Sequence, residues 1–282
     1  MMHRWLWATL AGMGLGTLGL AAYRVVHDRR IRRIENRLFG DTSPKGSLPD
    51  CFSADHLAGL PEPARRYLRH AIAIGTPLAD ACRLTLRGSM CPAPGQPRLS
   101  LTATEVLAPR EGFVWTAKSR MYGVPLHVRD HYAAETGGVE VLLLGVLPIP
   151  VGSGADVTRS SRGRLVAEAV WCPTALVHPS VTWTSAGPDR ARYTLSVDGE
   201  PITVTLDLDA DGALRAVSLP RWGDVAGPPQ LLPYGFRVEA EARFDGVTLP
   251  THVTGGWMYG TDAFDSTSAS TFEVQNARFS TG

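Results

Sequence analysis

No CxxC pair occurs among the four cysteines, Cys51, Cys82, Cys91 and Cys172, so neither a zinc site nor a thioredoxin-like redox site is indicated. There is no GxSxG elbow, no Walker loop and no GxGxxG ahead of a helix. The usual signatures of α/β-hydrolase, P-loop and dinucleotide chemistry are therefore missing. No short-period repeat is present. A basic excess is missing as well: the net charge of +1 is unevenly spread. Residues 1–40 carry seven arginines against Asp28 and Glu35, which leaves the other 242 residues at −4. Nucleic acid is not an expected partner. The segment Asp207-x-Asp209-x-Asp211-Gly212 begins like a calcium loop, but its twelfth position is Ser218 where a bidentate Glu is needed. His127 and His131 share a strand face about 13 Å apart, too far for one ion. The expectation is no metal and no cofactor. Four thiols could pair in an oxidising compartment and stay reduced in a cytoplasmic one. Cys172, ahead of Pro173, reads as an inert core thiol.

What is present begins with Trp5–Tyr23, 19 residues without a charge. That length crosses a bilayer core as a helix. Trp5, Trp7 and Tyr23 mark its ends, where amphipathic rings favour the interface. The competing reading is a cleaved signal peptide, but an h-region is shorter and the flanking charge lies on the wrong side. Six arginines between Arg24 and Arg37 follow the run, and the positive-inside rule keeps the C-terminal side in the cytoplasm of a single-pass inner-membrane protein. An outward-facing domain is the alternative. The basic stretch reads as a helical extension near anionic headgroups, or as a solvated flank. The expected organisation is a transmembrane helix and basic extension over 1–39, a linker over 40–54, and one β-rich domain over 55–282.

Within that domain, Leu60-Pro61-Glu62-Pro63 starts a helix whose apolar face is Ala64, Tyr67, Leu68, Ala71 and Ile72, closed by Gly75. From Arg83 the period changes to two. A dozen short alternating segments read as antiparallel strands, with Asp198-Gly199 and Asp245-Gly246 at hairpin corners. The chargeless run Val141–Val151 reads as core under a central helix, as a cavity wall or as a membrane contact. Its Pro148 and Pro150 imply an edge or a bend. One helical passage interrupts the strands. Ser160 and Ser161 are its expected N-caps, Leu165, Val166, Ala169 and Val170 its stripe, and Pro173 its end. The fold class is α+β: a large, curved, partly closed antiparallel sheet, half-barrel-like, with helical insertions and one N-terminal transmembrane helix.

A set of segments then carries a resemblance. They include Leu60–Leu68, Gly112–Trp115, Gly123–Leu126 with Asp130 and Tyr132, Gly163–Leu176, Arg221–Gly223, Arg243–Pro250 and Gly256–Asp262. Together they resemble a bacterial domain-of-unknown-function family, β-rich and membrane-anchored, over about residues 55–280. At the level of fold the pattern is similar to the half-barrel of lipoprotein carriers. That similarity concerns fold only. The anchor, the apolar Val141–Val151 run and the spread of tryptophans are what lead to the expectation of an apolar or lipid-like ligand between sheet and central helix.

The ligand-binding candidates are Arg159, Arg164, Glu168, Trp171, Trp222, Trp257, Asp130 and Asp245. Arg162 and Arg164 sit near the expected helix start, where the macrodipole disfavours cations, so an acid elsewhere (Asp156 or Asp245), an anionic ligand or a lipid headgroup is expected to use them. An enzyme with Glu168, Asp245 or Asp130 as an acid/base group is the alternative, and a membrane-associated scaffold is a third reading. The loop after Arg221-Trp222-Gly223-Asp224 is expected to fold over the mouth of the sheet.

Overall fold

The computed structural model describes residues 24–40, 50–92, 96–225 and 227–280. The transmembrane expectation falls on Trp5–Tyr23, outside the described residues. Among the described residues no helix is long and apolar enough to cross a membrane.

Six strands come first and follow one another as a meander. They are β1 (Cys82–Met90), β2 (Leu99–Ala108), β3 (Gly112–Met121), β4 (Val124–Ala133), β5 (Thr136–Leu143) and β6 (Leu147–Ser153). A second meander holds β7 (Thr182–Gly187), β8 (Arg190–Val197), β9 (Glu200–Leu208), β10 (Leu214–Gly223), β11 (Gln230–Phe244), β12 (Val247–Trp257) and β13 (Ser270–Phe279). The two join through β1 and β13, with Cys82 opposite Phe279 and Ser89 opposite Thr271. The result is one open 13-stranded antiparallel sheet with β6 and β7 at its edges. The Asp-Gly corners form as the sequence implies. Asp198 and Gly199 have φ of 50° and 78°, Asp245 and Gly246 48° and 87°, the doubly left-handed geometry that matches strand twist.

Period-two alternation sorts the strands into two faces. Leu101, Ala103 and Leu107 of β2 and Phe113, Trp115 and Ala117 of β3 join the main core, while Val106 and Val114 between them join a smaller outer cluster. The main core lies on the inner face beneath α2 (Glu62–Ala71) and α3 (Ala155–Ala167). Residues 24–39 form a further helix, α1, on the outer face. Its Ile31 and Leu38 bury against Val106, Ala108 and Val114, with Ile34 and Phe39 beside them. The arginine-rich extension is thus a docked helix rather than only a solvated flank. Its apolar residues recur at helical spacing and find an apolar strip on the sheet. Phe52, inside the expected linker, is fully buried in the main core.

Several boundaries differ from expectation. α3 starts at Ala155, five residues before the serines proposed as caps, with Gly154 at φ 104° as its N-cap. Arg162 and Arg164 therefore lie well inside the helix. Arg164 occupies the last turn, where the macrodipole favours a cation. After α3 the chain tightens into 3-10 turns at Glu168–Trp171 and Pro173–Val177, interrupted at Cys172 as Pro173 demands. α2 is capped at Ile72 in extended conformation rather than at Gly75. The run Val141–Val151 is not core beneath α3. It is the β5–β6 edge hairpin, with Leu142 buried but Leu144, Leu147, Ile149 and Val151 exposed. Its prolines lie in an edge strand, where missing N–H donors break no inner ladder.

Candidate functional site

α3 runs between the two arms of the curved sheet. On one side Gly137 of β5 donates its N–H to Thr158 Oγ1 (3.1 Å). On the other, Gly163 lies so close to β10 that a Cβ there would come within 2.9 Å of Arg221 Cγ. The C-terminal half of α3 and the turn after it carry a wide apolar face: Leu165, Val166, Ala167, Ala169, Val170 and Cys172 are fully buried. Trp171 stacks on Phe236 (5.3 Å) and donates its indole N–H to Pro250 O (2.9 Å). The space between sheet and helix that the sequence reading assigns to a ligand is filled by the chain itself. Trp171 is a core residue.

The polar side of α3 is built differently. Arg164 reaches down to the inner face of β2–β4. Its Nη1 meets Asp130 Oδ2 at 2.6 Å, its Nε meets Glu168 Oε1 at 2.9 Å, and its Nη2 meets Glu105 Oε1 at 3.4 Å. The guanidinium stacks over Phe113 (4.7 Å) and Trp115 (5.3 Å). One cation faces three carboxylates, of which Glu105 is fully buried and Asp130 and Glu168 are partly buried. Burial pushes the Glu105 carboxyl well above its ordinary value, and the Glu168 and Asp130 charges add to this against the pull of Arg164. Burial opposes the charge on Arg164 too, but the three carboxylates outweigh it and hold the guanidinium well above its usual range. Asp130 Oδ1 and Glu168 Oε2 have no hydrogen-bond partner among the described residues.

Around this floor, the first turns of α3 carry the remaining polar groups. Arg159 pairs with Glu200 (3.2 Å) and lies over the Trp222 ring (4.0 Å). Arg162 joins Asp198 (3.3 Å), Glu200 (3.1 Å) and the Tyr132 hydroxyl (3.2 Å), and that hydroxyl donates to Asp198. Asp156 accepts the Trp222 indole N–H at 2.8 Å. Arg221 donates to Ser160 O and lies over Tyr234 (4.5 Å) and Trp257 (4.9 Å). Gly223 is where a close approach demands glycine: a Cβ there would meet the Trp257 ring at 2.3 Å.

These groups surround a cleft of about 190 Å³ lined by Asp130, Asp156, Ser160, Arg221, Trp222 and Trp257. A second cavity of about 420 Å³ shares Val225 and Trp257 with it and is lined by Met90, Gly255 and Phe264. The connection after Gly223 is shorter than the sequence reading implies, because β11 begins at Gln230. Its Asp224, Val225 and Pro229 still line the cleft.

Of the eight candidates, Asp130, Trp222 and Trp257 line the cleft; Arg159 lies over the Trp222 ring, and Arg164 pairs with Asp130 and Glu168 without lining it. Trp171 belongs to the core, and Asp245 sits exposed in the β11–β12 corner with no part in the site. The acids that take up the arginines are Asp130, Asp198, Glu105, Glu168 and Glu200, not Asp245; Asp156 pairs with Trp222 instead. Two site residues were missed. Glu105 had a signal: in Leu101, Ala103, Glu105, Leu107 a carboxylate interrupts an apolar row of one strand face. Arg221 was seen only as part of its loop. Among the described residues no group of His, Cys, Asp and Glu is arranged to hold a metal ion. The would-be calcium loop is an Asx turn, Asp209 Oδ1 accepting N–H bonds from Asp211 and Ala213.

The arrangement defines a class: an open antiparallel sheet wrapped round a filling helix, with an aromatic cleft over a buried charge cluster. The chain belongs to DUF6544, a family of unknown function, which it matches over residues 50–268. No curated protein matches it significantly. Among solved structures it is similar to a LolA superfamily protein from Nitrosomonas europaea at 13% identity, covering 77% of this chain and 91% of that one, TM-score 0.44. It is also similar to a DUF1329 family protein from Desulfovibrio piger (12% identity, 72% and 87% covered, TM-score 0.33). A third is a putative outer membrane lipoprotein-sorting protein domain from Vibrio parahaemolyticus (8% identity, 72% and 86% covered, TM-score 0.31). These likenesses are of fold alone.

Proposed function

We propose that the domain binds a small amphiphilic, lipid-like molecule at the mouth of the sheet, held beside a membrane by residues 5–23. The supporting observation is the pair of adjoining cavities that share Trp257 and Val225. One end offers aromatic and aliphatic walls, and the other offers Arg221, Asp130 and Asp156. Together they approach the size usual for small-molecule sites, about 300–1,000 Å³. An apolar tail fits the Met90–Phe264 side, and a polar head fits the arginine and carboxylates. The test is native mass spectrometry of the full chain in nanodiscs, followed by extraction and identification of the retained small molecules. A retained amphiphile that Trp257→Ala and Arg221→Ala each weaken by about tenfold or more, some 1.4 kcal/mol, is expected. A wild-type protein that retains no amphiphile from the bilayer sinks the reading.

A second reading, an enzyme, is favoured by one feature. Asp130 lines the cleft with one oxygen unpartnered, and a proton-holding Glu105 lies behind it. Such a pair suits acid/base work. Turnover of the retained molecule that disappears in Asp130→Asn, with binding intact, selects this reading. Unchanged ligand over prolonged incubation removes it.

A further inference from the structure

Ten large apolar side chains are exposed among the described residues, and seven of them gather in one region. Val25 and Val26 stand at the start of α1, Tyr122 at the β3–β4 turn, and Leu144, Leu147, Ile149 and Val151 on the β5–β6 hairpin. Tyr122 is 81% exposed. The pieces are physically adjacent. The Leu144 N–H bonds Pro125 O at 2.8 Å, tying the two turns together. Gly145 lies against the His127 ring, and His127 feels the charges of Arg24 and Lys118. His27 pairs with Glu140 (3.2 Å), and Asp28 with Arg129. Followed towards its N-terminus, α1 therefore passes from Arg129 to His127 and leads to the two turns. The residue before Arg24 is Tyr23, the end of the 19-residue chargeless run.

Beside this apolar tip lies a basic depression of about 660 Å³, lined by Arg87, Arg98, Lys118 and Arg120 with Ser100 and Ser119. None of the four cations forms an ion pair among the described residues. Arg98 bonds Ser89 and the carbonyls of Thr267 and Ala269, and Arg120 bonds Gly123 O. Arginines in the interior of this fold are matched to carboxylates, as Arg129, Arg162 and Arg164 are. The cations at the tip are not neutralised by a carboxylate among the described residues, so their charge is available to an anion outside the domain.

We propose that this end of the domain lies directly on an anionic bilayer. Tyr122 and the β5–β6 hairpin sit in the interfacial region, and Arg87, Arg98, Lys118 and Arg120 face the lipid phosphates. An exposed apolar patch rimmed by charge marks an interaction surface. An aromatic tip with basic neighbours suits a headgroup layer of negative potential. The occupant is identified by charge and by the sequence: the basic face suits anionic headgroups, and the chargeless run ends at Tyr23, the residue before α1 begins at this corner. This inference rests on the membrane-anchoring part of the proposed function, and the experiment separates the two.

The full chain, with Cys51 and Cys91 replaced by serine, is placed in nanodiscs of phosphatidylcholine and phosphatidylglycerol. Single cysteines introduced as Tyr122→Cys, Leu144→Cys, Glu111→Cys and Leu10→Cys carry a fluorophore, and quenching by spin-labelled phospholipid is read. Glu111 lies just beyond the opposite end of β3, roughly 35 Å from Tyr122 at strand rise. Quenching at 122 and 144 several-fold above that at 111, reduced by Lys118→Glu with Arg120→Glu or by omitting phosphatidylglycerol, is the expected result. Quenching at position 10 with 122 and 144 no higher than 111 overturns the inference and leaves the anchor standing. No quenching at any position overturns both. Shielding of 122 and 144 that follows protein concentration rather than lipid assigns the face to a second copy and also overturns it.

Discussion

Arg164 holds together a group of side chains that could not be buried without it. Removing one partner of a buried ionic cluster costs about 3–5 kcal/mol, because the remaining charges lose their counter-ion in a dry site. Arg164→Met should lower stability by about that amount, read from the urea midpoint at unchanged slope. Glu105→Gln should act in the opposite direction. The folded protein keeps a proton on Glu105 that the unfolded chain releases near the ordinary glutamate value of about 4.3. The stability tied to this group is therefore intact below that pH and falls as pH rises towards the raised folded value. The glutamine variant should show a flatter pH–stability curve and a higher urea midpoint than wild type at neutral pH. A variant that is less stable at pH 7 would mean that the ionised carboxylate is what Arg164 needs. Glu105 was legible in principle, since a charge within an apolar strand row needs a partner. Which cation supplies it depends on a helix about 60 residues later, and single-strand patterning does not carry that information.

At the scale of elements, α1 and α3 show why some pieces were readable and others not. Strands were visible because alternation survives wherever one face is more deeply buried than the other, as in β2 and β8. The start of α3 was hidden for the reverse reason. Its first residues, Ala155 to Arg159, include β-branched Val157 and Thr158 and no apolar stripe, and its last third is buried on all sides. The helix is specified by what surrounds it. β6 was not separated from the apolar run Val141–Val151 because its prolines and unbroken apolar character mask the period, although those prolines did point to an edge or a bend. α1 carries a prediction of its own. Leu38→Ala should cost about 2 kcal/mol, the low end for a buried leucine, because the outer cluster is small. Hydrogen exchange should then quicken in residues 24–39 while β10–β12 stay protected. Equal loss of protection in both regions would show that α1 is integral to the core rather than docked on it.

The whole molecule depends on a pairing between distant parts of the chain. β1 and β13 lie almost 200 residues apart, yet among the described residues they form the one strand pairing that joins the two meanders. A chain ending before Ser270 should lose β13, expose the facing edges of β1 and β12, and aggregate instead of folding. A soluble, cooperatively melting product would show that each meander is stable alone. Formation of so non-local a pair should also make refolding slow, in the millisecond-to-second range or beyond, as followed by tryptophan fluorescence. α3 has a matching position at the other end of the topology. It leaves edge strand β6, crosses the concavity and returns through its 3-10 turns to edge strand β7. A segment fastened to both rims cannot swing out on a single hinge as a lid does. Moving it would drag both rims inward or tear one of them loose. On the proposed function, a ligand would then have to enter beside the N-terminal end of α3, where Trp222 and Trp257 line the cleft, and that entrance would keep a fixed width.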